Sequence, residues 1–207
     1  MDIPSLTHVK DVQRLAGRVA TLNRFISKSS KRCHLFFSTL RKSKDFEWTP
    51  ACEEALQELK RYLTSPPLLS KPKDGEQLSI YLVVSDTAMS SVLIHEEEGK
   101  QLPVYYVSKS LLDAKTRYSQ LEKLALALVS AAQKLRPYFQ CHSIVVITTY
   151  PLKGILQKPE FSGRLTKWAV ELSEYDISYQ PCTAIKSQAL ADFIADFIAD
   201  FAPSAQA

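Results

Sequence analysis

The sequence predicts an α/β chain: a mixed five-stranded sheet with flanking helices, preceded by a small helical region. Three observations carry that expectation. The 207 residues are 45% hydrophobic and 23% charged with a net charge of +4, the balance of a chain that buries a core rather than a disordered one. Apolar residues recur at steps of three and four in the stretch before Pro66, and the texture changes to β-forming runs after Gly75. From there, strands and helices alternate in the order β-β-β-α-β-α-β-α.

Each element has its own signal. Val9, Val12, Leu15, Ala16, Val19, Leu22 and Ile26 form one apolar helical stripe, with Arg14, Arg18 and Arg24 on the other face. A second helix is expected over residues 31–41. Thr49-Pro50 reads as an N-cap followed by proline at the first helical position, opening a helix with Cys52, Ala55, Leu56, Leu59 and Leu63 on one stripe. Pro66-Pro67 stops it, and Asp74-Gly75 is a turn. Residues 78–86, 91–95 and 104–108 then read as a three-stranded meander, with a turn at Glu98-Gly99-Lys100 between the last two. One long apolar helix is expected over 118–139, and a fourth strand, apolar on both faces, over 143–149. A short helix after Pro151, a helix over 163–173, a fifth strand over 176–179 and a helical tail over 185–201 complete the order. This element order is the ribonuclease H topology.

Composition excludes several classes. No apolar run reaches the roughly 18 residues of a membrane span, and no secretory signal pattern opens the chain. Cys33, Cys52, Cys141 and Cys182 lack short repeat spacings, which favours reduced thiols in an intracellular protein. Cys33-His34 and Cys141-His142 resemble ligand pairs, but adjacent residues rarely point to one centre, so zinc is the weaker reading. The five glycines are isolated, so no phosphate loop is present.

Charge is split along the chain. Residues 10–44 carry ten basic residues and one acid, which makes that segment +9 and the remainder −5. Arg14, Arg18, Arg24, Lys28, Lys31 and Arg32, interleaved with phenylalanines, are the expected contacts to a nucleic-acid backbone. A solvated helix face is the commoner origin of a charge run; the density favours nucleic acid here.

Several strings in order resemble the C-terminal part of a gypsy-type LTR retrotransposon polyprotein. Lys10-Asp11-Val12-Gln13-Arg14-Leu15-Ala16-Gly17 and Leu22-Asn23-Arg24-Phe25-Ile26 are similar to the end of a reverse transcriptase thumb, and Phe46-Glu47-Trp48-Thr49 and Leu63-Thr64-Ser65-Pro66-Pro67-Leu68 continue it. Tyr105-Tyr106-Val107-Ser108-Lys109-Ser110-Leu111, Tyr118-Ser119-Gln120-Leu121-Glu122-Lys123 and Lys167-Trp168-Ala169-Val170-Glu171-Leu172 are similar to its RNase H-like segments. The spellings resemble a plant lineage in which this domain is degenerate and a second ribonuclease H follows. The resemblance implies a thumb/connection remnant over 1–75, an RNase H-like domain over 76–201 and a tail over 202–207. Both ends read as cut from something longer.

Ribonuclease H chemistry uses two Mg²⁺ ions roughly 4 Å apart, held by a cluster of carboxylates. The resemblance places these on the first strand, the first long helix, the end of the fourth strand and the last helix. Glu122 and Asp192 stand at two of those positions; Val83 and Thr149 occupy the other two, and neither can supply a carboxylate. Asp86 is not expected to substitute, because a residue three places along a strand faces the other side and lies about 10 Å further on; a bulge could restore the face but not the distance. Glu122 also suits a first-turn acid that complements the helix dipole, and Asp192 belongs to a tandem Ala-Asp-Phe-Ile repeat whose phenylalanines form one stripe. No Tyr-x-Asp-Asp string is present, so the resemblance excludes DNA synthesis by this chain alone.

The expected function is therefore a non-catalytic module that binds an RNA–DNA hybrid, needs no cofactor and acts with the rest of a retroelement polyprotein. Two alternatives stand beside it. One is a weakly active ribonuclease H that uses Mg²⁺ on Glu122 and Asp192. The other is a host-adopted protein-interaction domain that uses the sheet edge or the Phe stripe.

Overall fold

The computed structural model describes residues 8–26, 33, 35, 48–64, 68–157 and 163–182. The helix expected over 31–41, apart from Cys33 and Leu35, and the helical tail over 185–201 lie outside the described residues.

The helical region is built on two amphipathic helices. In α1 (Val9–Leu22), Val12, Leu15 and Val19 fall on one face and are buried, and a 3₁₀ turn at Asn23–Phe25 follows. In α2 (Pro50–Thr64) the buried face is Cys52, Leu56 and Leu59. Its start is the expected one: the Cys52 N–H donates to Thr49 Oγ1 at 3.4 Å and to Thr49 O at 2.9 Å. Val12, Leu15 and Val19 of α1 meet Leu56 and Leu59 of α2 in one cluster with Ile26 and Cys33. Tyr62, near the end of α2, donates its hydroxyl to Phe25 O at 3.2 Å and ties α2 to the 3₁₀ turn.

The sheet is mixed, in the order β3-β2-β1-β4-β5. Its antiparallel part is the meander β1 (Leu78–Val84), β2 (Ala88–Glu97) and β3 (Lys100–Ser110); β4 (Ile144–Ile147) adds parallel to β1, and β5 (Ile177–Gln180) parallel to β4. β2 and β3 are longer than expected because the ladder continues through polar residues up to the two-residue turn, where Glu97 pairs with Lys100. Glu98 and Gly99 take φ of 51° and 75°, the paired left-handed conformations that let a tight turn follow the strand twist. The register shifts between Leu93 and Ile94, opposite Tyr105 and Pro103, so Val104 is extra on β3. A proline is tolerated there because β3 is an edge strand with a bulge.

The expected helix over 118–139 is two helices. α3 (Gln120–Lys134) ends at Leu135, and α4 (Arg136–Cys141) restarts at once with Pro137 in its first turn. Pro137 has no N–H for an uninterrupted helix and its ring would clash with the preceding turn, so the chain begins a new helix where proline is accepted. α5 (Leu152–Leu156) and α6 (Gly163–Leu172) follow.

Alternation along β1 fixes the two faces of the sheet. Leu78, Ile80 and Val84 face the main core with Leu124–Ala132 of α3, Phe139, and Leu165, Trp168 and Leu172 of α6. Tyr81 and Val83 face the other side, with Val92, Ile94, Tyr106 and Ile147. The two Cys-His pairs of the sequence lie apart: Cys33 is buried in the helical cluster, Cys141 is exposed, and His142 Nδ1 lies 2.8 Å from Glu76 O.

Candidate functional site

The first turn of α3 sets the site. Ser119 is its N-cap: Ser119 Oγ accepts the Glu122 N–H at 3.3 Å, and Glu122 Oε2 accepts from the Ser119 N–H and from Ser119 Oγ, each at 3.0 Å. Glu122 thus closes a capping box, the arrangement that satisfies the free donors of a helix start. Its other oxygen, Oε1, is 4.0 Å from Arg164 Nη2, in the first turn of α6. The Arg164 guanidinium lies 4.2 Å from the ring centre of Tyr118, and that ring contacts Trp168 at 6.3 Å.

Lys123, the next residue, turns into the core side. Its side chain is 4% exposed, and Nζ lies 3.4 Å from Asp86 Oδ1 and 3.5 Å from Asp86 O. Asp86 sits in the β1–β2 turn with its side chain in solvent. The pair joins that turn to α3.

The other expected positions lie apart. Val83 is half-buried in the apolar cluster on the far face, which contains no residue of α3. Thr149 is exposed in the bend after β4, next to Thr148, whose Oγ1 accepts the Tyr150 N–H at 3.1 Å. Asp192 lies outside the described residues. Among the described residues no three His, Cys, Asp or Glu side chains converge as a metal site. A Mg²⁺ pair wants a cluster of oxygen ligands, and the side chains at 83 and 149 are a hydrocarbon and a neutral hydroxyl. The described donors do not fit it.

Of the basic residues, Arg14 and Arg18 are exposed on α1, and Arg14 has Asp11 at 3.8 Å. Arg24 packs differently: its guanidinium lies 5.1 Å from the Phe25 ring and 5.3 Å from that of Tyr105 on β3. It joins the 3₁₀ turn to the sheet edge. Lys28, Lys31 and Arg32 lie outside the described residues.

The residues that sequence reading missed are Tyr118, Lys123 and Arg164 as partners of the acids. The capping box was legible as Ser119 followed three places later by Glu122. The Arg164 contact was not, because it needs α6 packed beside α3.

Residues 48–146 match the family described as the RNase H-like domain found in reverse transcriptase. The transposon Tf2-3 and Tf2-4 polyproteins of Schizosaccharomyces pombe are each 27% identical over 189 residues, covering 84% of this chain and 14% of the polyprotein. The chain therefore spans about a seventh of those relatives. Among solved structures, a foamy viral protease-reverse transcriptase in complex with double-stranded DNA superposes with a TM-score of 0.77 at 19% identity, over 89% of this chain and 34% of that one. The same viral protein in complex with an RNA/DNA hybrid gives 0.75 at 19% identity, over 89% and 26%. At such identity the likeness speaks for the fold. The chain thus has the RNase H-like fold, with a segment similar to the RNase H-like domain of reverse transcriptase, and is homologous to the Tf2 retrotransposon polyproteins.

Proposed function

We propose that this chain is a non-catalytic connection module of a retroelement polyprotein that holds an RNA–DNA hybrid. The observation that carries the reading is Val83: on the strand where the chemistry requires a carboxylate, an apolar side chain packs in an apolar cluster. Thr149 supports it in the bend after β4. The exposed Arg14 and Arg18 of α1 supply phosphate contacts. In this reading residues 1–75 are the thumb/connection remnant, 76–201 the RNase H-like part and 202–207 a tail, within an intracellular gypsy-type element of the plant lineage. Hybrid binding is what one foamy viral neighbour does in its solved complex, which supports the choice of partner. No helix among the described residues is long and apolar enough to cross a membrane.

The test is a binding titration of the full chain on an RNA–DNA hybrid across salt, paired with a Mg²⁺-dependent cleavage assay. Log affinity falls linearly with log salt, and Arg14→Gln with Arg18→Gln lowers the slope by about two. No cleavage accompanies binding. Cleavage that disappears in Glu122→Gln would favour the weakly active ribonuclease H instead.

A further inference from the structure

We propose that Arg164 is the phosphate-facing cation of this site, the role a divalent metal has in ribonuclease H chemistry, so that a hybrid backbone is held beside Glu122 without Mg²⁺. The inference rests on the hybrid-binding reading and names the contact within it.

Three features single out Arg164. It is positioned: the ring of Tyr118 lies 4.2 Å beneath the guanidinium, and Trp168 packs against that ring. It is accessible, with its side chain 42% exposed. And its donors are not consumed by Glu122, since 4.0 Å from Nη2 to Oε1 exceeds hydrogen-bond length, while the carboxylate takes its hydrogen bonds from Ser119. Lys123, the neighbouring cation, is buried and held at Asp86. Among the described residues, that leaves Arg164 as the exposed positive charge beside Glu122.

A planar guanidinium held on an aromatic face keeps its N–H edge free and fixed in direction. That edge matches two phosphate oxygens at once, which an ammonium does not. A divalent ion beside this carboxylate would be repelled by the guanidinium, whereas a phosphodiester is attracted to it. No bond is made or broken: the site grips without cutting.

The experiment uses the full chain and a fluorescent RNA–DNA hybrid, read by anisotropy in Mg²⁺ and in EDTA at matched ionic strength, then across salt. The expected result is equal wild-type affinity in both media. Arg164→Gln binds about tenfold more weakly at low salt, with a slope smaller by about one. Arg164→Lys keeps the slope and recovers part of the affinity. Wild-type binding that requires Mg²⁺ overturns the proposal, as does Arg164→Gln with unchanged affinity and slope. If Arg14→Gln with Arg18→Gln weakens binding while Arg164→Gln does not, this proposal falls and the hybrid-binding reading stands. If the wild type shows no salt-dependent binding at all, both fall.

Discussion

Glu122 shows how one side chain answers two chemical questions. A carboxylate three residues after a serine can bind a metal or close a helix start, and here its hydrogen bonds go to Ser119. The cap has a measurable weight. Ser119→Ala removes the side-chain half of the box and is expected to cost about 1 kcal/mol in a urea melt. Glu122→Gln should cost less, because an amide oxygen still accepts from the Ser119 N–H. A loss as large in Glu122→Gln as in Ser119→Ala would show that charge, not hydrogen bonding, carries the cap. Glu53 is a second case of a placed acid: hydrogen bonds from Trp48 and then Gln57 hold its carboxyl below the ordinary value.

The elements carry a different kind of information. α1 and α2 have no strong interior of their own; each buries a single stripe, and the stripes cover each other. Leu56 is fully buried at that contact, so Leu56→Ala is expected to destabilise by about 2–5 kcal/mol, measured by thermal or urea unfolding. A near-neutral result would mean that α1 does not pack there. The β2–β3 turn offers the opposite sign. Glu98 holds a φ of 51°, which asparagine adopts more readily than glutamate. Glu98→Asn should therefore raise the melting temperature by a small amount. The break at Leu135 belongs to this scale too: apolar periodicity runs through it, and only the backbone chemistry of Pro137 divides α3 from α4.

For the whole molecule, the sheet is the reference plane, with α3, α4 and α6 on one side and a tyrosine-rich apolar cluster on the other. Burial raises the hydroxyl pKa of Tyr106 far above its ordinary value of 10.0, with the neighbouring Tyr62 adding to it, and burial pushes Tyr179 up to about 12. Raised folded-state values mean that the unfolded chain loses these protons first. The stability they contribute is thus intact below about pH 10 and is lost as pH rises above it. Tyr106→Phe should flatten that alkaline decline in a pH series of unfolding curves; an unchanged slope would count against burial as the cause.

The sequence by itself determined the order of strands and helices over the described residues apart from the break at Leu135, the meander, the helix start at Thr49-Pro50 and the absence of carboxylates at 83 and 149. These are properties of neighbours along the chain or of residue identity, and periodicity and caps report them directly. The tertiary structure decided which groups meet: Arg164 beside Glu122, Lys123 on Asp86, and Arg24 over Tyr105 rather than free on a basic face. Those contacts join different elements, and their geometry follows from how α6 packs on α3 and how the 3₁₀ turn seats against β3. Local pattern is silent about such pairs because a side chain's partner across the fold is chosen by the packing of whole elements.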